Sequence, residues 1–269
     1  MHSKGYLQAI YLCRVLISPR RYIVEVNLAE RILGPSLTTP PLPPYYPLYA
    51  RRFRLIVRWL ARVVFRNVRL HVHPQAEEHV RHGKVVVYSN HPSWWDPVVL
   101  ALTTGRLWPE HAVITPIDQE ALRVHRYFHG LGFFGLTPRS AAGLRRFIEV
   151  ANTCFEGPGD CCLAVTPEGR FSDGRRPLRL ERGLALALNG HQGPPLLAVP
   201  AAIGYRKGGW GRLEATVMLG EPLLLPADAA SRSVDPLHSE LARRLEGALD
   251  DLEVRFLDTN SGHCLLSDS

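Results

Sequence analysis

The chain has 269 residues, of which 46% are hydrophobic and 21% are charged, a balance that excludes a disordered or fibrous protein. This length is enough for one large α/β domain or two small domains with a sizeable core. The net charge of +7 is unevenly distributed, because residues 1–70 contain twelve Lys/Arg and two acidic residues and so carry +10. Such a basic segment favours an anionic partner, which could be a membrane surface, a nucleic acid or an acidic protein.

The five cysteines have no CxxC spacing, and we predict from them neither a disulfide framework nor a zinc site. A reducing, cytoplasmic compartment is the simplest interpretation of that pattern. No stretch of the sequence reaches the roughly 18–20 uninterrupted apolar residues that cross a bilayer. The N-terminus also lacks a small-residue cleavage signal, so we expect no signal peptide.

The N-terminal part of the chain has three predicted sections. Residues 1–34 predict one or two short helices, and residues 34–47 contain too many prolines for anything but an extended connector. Residues 51–69 predict a basic amphipathic helix with an arginine every four residues and apolar residues on the other side. The arginines of this stripe are Arg54, Arg58, Arg62 and Arg66.

Two interpretations of this basic helix are open, because both require arginines on one side of the helix and apolar residues on the other. It could lie in a lipid headgroup layer, with the help of its tryptophan and phenylalanine. It could also pack on the domain as a surface helix with solvated arginines. Seven arginines and no acidic residue in 51–70 favour the anionic membrane surface.

From residue 84 onward, apolar strands alternate with helices. Strands are predicted at 84–90, 111–118, 133–138, 161–169, 194–205 and 211–222, and helices at 97–107, 119–132, 139–157, 182–190 and 237–257. Because the strands are continuously apolar, we predict an α/β fold with a mostly parallel or mixed central sheet flanked by helices. We expect a helical, membrane-facing segment at 1–79, a single α/β domain at 80–257 and a loose tail at 258–269.

A candidate catalytic pair follows the first strongly predicted strand, in the stretch NHPSWWDP at residues 90–97. The carboxyl end of a strand is where open α/β sheets place their ligand crevice. His91, hydrogen-bonded to Asp96 through one ring nitrogen, could take a proton from a hydroxyl through the other. A structural explanation holds equally well, with Asp96 as helix N-cap and Pro97 in the first turn.

Other enzyme signatures are missing from the sequence. There is no G-x-S-x-G elbow, so a serine hydrolase would lack its nucleophile. There is no P-loop and no G-x-G-x-x-G motif for a nucleotide. The histidines of HVH at 71–73 could share one strand face for a metal, but no third ligand is evident, and we expect both to face solvent.

Four ordered blocks resemble the glycerolipid acyltransferases, the family of 1-acylglycerol-3-phosphate acyltransferase. NHPSWWDP resembles its His-x4-Asp motif. LGFFGLTPRS at 131–140 resembles the second block, VTPEGRFSDG at 165–174 with the following LERGLALAL the third, and VPAAIGY at 199–205 the fourth. The resemblance covers roughly residues 80–210.

The resemblance implies direct transfer of a fatty acyl group from acyl-CoA or acyl-carrier protein to a hydroxyl of a lysophospholipid such as lysophosphatidate. It implies His91 as general base and Asp96 as its orienting partner, with no metal and no cofactor besides the thioester co-substrate. Residues implied in acceptor binding are Arg139, Glu168, Gly169, Arg170 and Ser172. The resemblance also implies a peripheral enzyme on the inner face of the cell membrane and no nucleic-acid partner.

Two departures from the family pattern bear on the acceptor. The arginine of the third block is one position early at Arg170, and Phe171 stands in its usual place. In an extended segment, one step turns a side chain to the opposite face. Three explanations stay open. The loop could bulge and so return Arg170 to the usual side, the acceptor could lack a phosphate, or the phosphate could bind Arg175, Arg176 or Arg179 instead.

The second departure is Gly135, which stands where an aromatic residue is common, in a block about one residue longer before its arginine. Two alternatives to the leading function therefore stay open. One is an acyltransferase for an aminolipid, a glycosylated terpenoid or another hydroxylated metabolite. The other is a non-catalytic membrane-binding module.

Overall fold

The computed structural model describes residues 42–78, 83–172, 176–208, 211–227, 233–257 and 262–266. The helices predicted within 1–34 and most of the proline-rich connector lie outside these ranges. The helices are α1 Pro47–Val64, α2 Pro74–Glu78, α3 Asp96–Leu107, α4 Gln119–Val124, α5 Ala141–Glu156, α6 Gly183–Asn189 and α7 Val234–Leu257. The strands are β1 Phe65–Val72, β2 Lys84–Ser89, β3 Ala112–Asp118, β4 Phe133–Leu136, β5 Cys161–Val165, β6 Leu196–Lys207, β7 Leu213–Leu219, β8 Leu223–Leu225 and β9 His263–Cys264.

The described strands form one mixed sheet in the order β4-β3-β5-β2-β6-β7-β1-β9, with β8 paired to β6. The pairs from β4 through β6 are all parallel, whereas β7 runs antiparallel to β6. The predicted α/β class with a mostly parallel or mixed sheet is confirmed. All six residues of β2 are buried, as a strand covered on both faces requires.

Each face of the sheet has its own apolar cluster. On one face, α5, α6 and α7 cover alternate residues of β2 and β5, including Val86 and Leu163. On the other face, α1 and α3 cover the intervening residues, including Val85 and Val87. This alternation along one strand is the period-2 pattern of a sheet between two helical layers.

The basic helix predicted at 51–69 is shorter at its C-terminus and longer at its N-terminus. Helix α1 begins at Pro47, where a missing N–H costs no helical hydrogen bond, and it ends where Phe65 becomes extended. Phe65 pairs with Leu213 of β7, so Arg66 lies on a strand and not on the arginine stripe. Sheet pairing therefore ends the helix, although the local periodicity continues through it.

The sheet also includes residues on both sides of the predicted α/β domain. Strand β1 lies between β7 and β9, which places residues 65–72 within the sheet. The prediction of a loose tail is wrong for 262–266, because Cys264 pairs with Arg69 and Leu265 is buried. Gly262 packs against the ring of His71, so His71 is buried instead of facing solvent as predicted.

A disulfide joins Cys154 near the end of α5 to Cys161 at the start of β5, with Cα atoms 6.1 Å apart. The prediction of a chain without disulfides is wrong at this pair. The seven-residue separation gives no local signal, because the two side chains meet only when α5 docks beside β5. Cys162, the next residue, is buried as a free thiol.

Candidate functional site

Two loops leave neighbouring parallel strands at the same edge of the sheet and diverge from there. The loop after β2 leads to α3 on one face, and the loop after β5 leads to α6 on the other. Open α/β sheets place their ligand crevice where loops diverge in this way, at the carboxyl ends of the strands, and we call this position the crevice. His91 lies in the first loop and Glu168 in the second, so both predicted residues border this crevice.

The predicted contact between His91 and Asp96 is present. His91 Nδ1 lies 2.7 Å from Asp96 Oδ2, and the carboxylate is fully buried while 19% of the imidazole side chain is exposed. A hydrogen bond from Nδ1–H to a carboxylate fixes the neutral ring with its lone pair on Nε2. Within the described residues, Nε2 has no hydrogen-bond partner, which leaves this nitrogen able to accept a proton.

Asp96 does not cap helix α3, contrary to one sequence interpretation. The helix has no side-chain cap, and Asp96 is its first residue instead of the residue before it. Its carboxylate accepts from the backbone N–H of Ser93 at 3.0 Å and from the hydroxyl of Tyr205 at 2.6 Å, besides the His91 ring. Three donors satisfy a carboxylate that has no access to water.

Tyr205 and Asn90 are site residues that the sequence did not single out. Strand β6 extends beyond the end of β2, and its Tyr205 reaches the loop that carries Asp96. The Asn90 side chain donates to the Ile203 carbonyl at 2.9 Å and accepts from its N–H at 2.7 Å. Asn90 thus continues the pairing of β2 with β6 through a side chain, and it fixes the backbone directly before the histidine.

Glu168 ties the two loops together at the backbone. Its Oε1 accepts from the backbone N–H of His91 at 3.2 Å, and Ser172 donates its N–H to the His91 carbonyl at 3.0 Å. Gly169 has φ +62, a left-handed conformation that glycine adopts without strain. These contacts make Glu168 a residue that holds the loop containing His91.

Phe171, which takes the position of the expected arginine, covers the imidazole. Its ring stacks on His91 with centroids 4.2 Å apart and 30° between the planes. The Trp94 ring lies 4.6 Å from the Phe171 ring, measured between centroids, and Trp94 is itself exposed. Trp95 instead packs edge-on against Phe65, so one tryptophan belongs to the crevice and the other to the core.

None of the predicted arginines is hydrogen-bonded to the imidazole within the described residues. Arg170 is exposed. Arg139 follows β4, three strands from β2, which corresponds to about 14 Å along the sheet edge. Arg176 contacts Asp250 and Glu253 of α7, Arg179 is exposed, and Arg175 lies outside the described residues.

At Gly135, in the second block, a side chain would clash with a neighbouring residue. A Cβ on Gly135 would lie 3.2 Å from the Gln119 Cα and would overlap the amide of that side chain. Helix α4 starts at Gln119, so a side chain at 135 would require the Gln119 side chain and the start of this helix to shift. Gly135 therefore matches the close packing of α4 on β4.

No group of three or more His, Cys, Asp or Glu side chains suited to a metal occurs in the part of the chain that the structure describes. No protein-family model matches the chain, and no match is found among curated proteins. The four sequence blocks and the geometry around His91 are therefore the observations that bear on function.

Proposed function

We propose that the protein is an O-acyltransferase, which moves a fatty acyl group from acyl-CoA or acyl-carrier protein to a lipid hydroxyl. The observation that carries the proposal is the buried Asp96 carboxylate holding His91 Nδ1 at 2.7 Å, at the end of a parallel strand. This arrangement orients the imidazole with Nε2 as a general base. A chain with no serine elbow needs no covalent intermediate for this reaction, because a thioester is already activated.

The proposed reaction is a single addition and elimination. His91 Nε2 removes the proton of the acceptor hydroxyl while the oxygen attacks the thioester carbonyl and forms the new C–O bond. The tetrahedral adduct then expels the thiolate, which receives the proton from the imidazolium. Asp96 stabilises the imidazolium that exists between these two transfers, and alignment of both substrates in the crevice supplies the remaining rate enhancement.

A lysophospholipid such as lysophosphatidate is the first acceptor class that we propose. In this version Glu168, Gly169 and Ser172 shape the crevice, while Arg139 and Arg170 provide positive charge near its rim. Both arginines are exposed, so a phosphate could approach them from solvent. A long acceptor would be required to reach Arg139 from the imidazole.

An acceptor without a phosphate is the second class, and the stacking of Phe171 on His91 favours it. An aromatic ring and the exposed Trp94 present flat apolar surface beside the base, where an arginine would present a bidentate phosphate donor. Such a surface suits the ring or hydrocarbon portion of an aminolipid or a hydroxylated metabolite.

The two classes separate in one assay with purified full-length protein, radiolabelled acyl-CoA and acyl-carrier protein donors, and a panel of acceptors. We expect a labelled acyl ester whose formation matches the thiol released from the donor. Product confined to lysophosphatidate would select the first class, and product confined to neutral hydroxylated lipids the second. If no donor is consumed with any acceptor while the protein binds vesicles, a non-catalytic membrane module would replace the proposal.

An anionic membrane surface is the partner that we propose for helix α1. Its outer face carries a row of exposed apolar side chains between exposed arginines, namely Leu48, Leu55, Trp59 and Val63 beside Arg51, Arg52 and Arg62. Part of the predicted arginine stripe has another role, since Arg54 donates to the Pro109 carbonyl. None of the described helices is long and apolar enough to cross a bilayer, so α1 would lie in the plane of the headgroups.

Replacing Leu55 with glutamate should weaken binding to anionic vesicles at least about fivefold, because it places a charge in the apolar row. The matched control is Val254→Glu on α7, on the opposite side of the sheet, because Leu55 is 64% exposed and Val254 65% exposed. Co-sedimentation with phosphatidylserine-containing vesicles measures both. Equal binding by the two variants would contradict the assignment of α1 as the membrane-facing helix.

A further inference from the structure

The hydroxyl of Tyr205 completes the set of donors around the buried carboxylate. Its Oη lies 2.6 Å from Asp96 Oδ1, while His91 and the Ser93 N–H occupy the other oxygen. The two residues are 109 positions apart in the chain and meet only because β6 runs past the end of β2. The hydroxyl has no hydrogen-bond partner other than Asp96 among the described residues.

We propose that Tyr205 is a positioning residue that sets the basicity of His91 by sharing the negative charge of Asp96. A carboxylate that accepts a hydrogen bond from Tyr205 has less charge available to stabilise the His91 imidazolium. The Tyr205 donor therefore keeps the imidazole in its neutral, proton-accepting form at a lower pH than Asp96 alone would. The contribution of Tyr205 to catalysis rests on the proposed function. Its effect on the His91 imidazole can be measured whether or not that function is correct.

Tyr205 remains a donor over the whole range in which the imidazole titrates. Burial and the neighbouring Asp96 charge raise the pKa of its hydroxyl well above the usual value of 10. The other titratable group that contacts the His91 segment within the described residues is Glu168, whose Oε1 accepts from the backbone N–H. Asp96, Tyr205 and Glu168 are thus the charged or titratable side chains whose contacts bear on His91.

The substitution Tyr205→Phe removes the donor and retains the ring. That ring stacks on the fully buried Phe65, with centroids 6.1 Å apart and 29° between the planes, so we expect the variant to fold. We expect the pKa of His91 to rise by between about 0.5 and 1 unit, because Asp96 then concentrates its charge on the imidazole. The lower limb of the pH–rate profile should move by the same amount.

The pKa of His91 can be followed without substrate by NMR of histidine-labelled full-length protein, with the His91 signal assigned from its loss in His91→Gln. As a second variant, 3-fluorotyrosine at position 205 provides a stronger donor and should shift the pKa of His91 in the opposite direction. An unchanged pKa in both variants would overturn the inference. A shifted pKa in a protein that transfers no acyl group would support the role of Tyr205 and refute the proposed function.

Discussion

Alanine in place of His91 is expected to reduce acyl transfer by about 10²–10⁴-fold while leaving the protein folded. The imidazole is the only side chain among the described residues that combines a buried carboxylate partner with an unoccupied nitrogen in the crevice. The loop should survive the change, because Glu168 and Ser172 hold the backbone of residue 91 and not its side chain. Initial rates of thiol release and ester formation measure the loss, and circular dichroism with thermal melting verifies folding.

The matched control for this variant is His129→Ala. His129 is exposed and precedes β4. It therefore lies at the amino ends of the parallel strands, whereas the crevice lies at their carboxyl ends. It should retain the wild-type rate with every donor and acceptor. Unchanged turnover in the folded His91 variant would remove the imidazole from the mechanism and leave the family resemblance without its base.

The parts of the site that could be predicted from sequence are those that lie close together in the chain. His91 and Asp96 are five residues apart, at the end of a run of apolar residues that predicts a buried strand. The order of strands and helices likewise follows from local apolar patterns. The order of the strands within the sheet does not follow from local patterns, and it is this order that places β2 between β5 and β6.

The missed residues depend on register between distant strands. Asn90 reaches Ile203 across 113 positions and Tyr205 reaches Asp96 across 109, and no local pattern marks either residue. The sequence shows only that each is a polar residue late in or after an apolar run, and a polar group that becomes buried there must find a partner. The disulfide between Cys154 and Cys161 was missed for a related reason, since its geometry is created by helix docking.

A buried lysine at the other end of β2 carries the second large effect that we expect. Lys84 is 6% exposed, and its ammonium group donates to the carbonyls of Cys154 at 3.0 Å, Gly157 at 2.7 Å and Gly159 at 2.6 Å. These acceptors belong to the end of α5 and the turn into β5, where helix carbonyls lack partners of their own. A cation there also complements the negative end of the helix dipole.

Lys84→Met keeps the length and the apolar stem of the side chain but removes all three hydrogen bonds. We expect the free energy of unfolding to fall by about 3 kcal/mol, because three carbonyls would lose a charged donor in a largely dry site. Urea unfolding under non-reducing conditions measures the change with the Cys154–Cys161 link intact. The control is Lys207→Met, at the exposed end of β6, which should change stability by less than about 0.5 kcal/mol.

A loss below about 1 kcal/mol for Lys84→Met would mean that water replaces the lysine at the turn. Repeating the measurement under reducing conditions separates the two supports of this turn. If the lysine and the disulfide act independently, the loss caused by Lys84→Met will be the same with and without the link. If it grows on reduction, the ammonium and the disulfide stabilise the same connection between α5 and β5, and each compensates in part for the absence of the other.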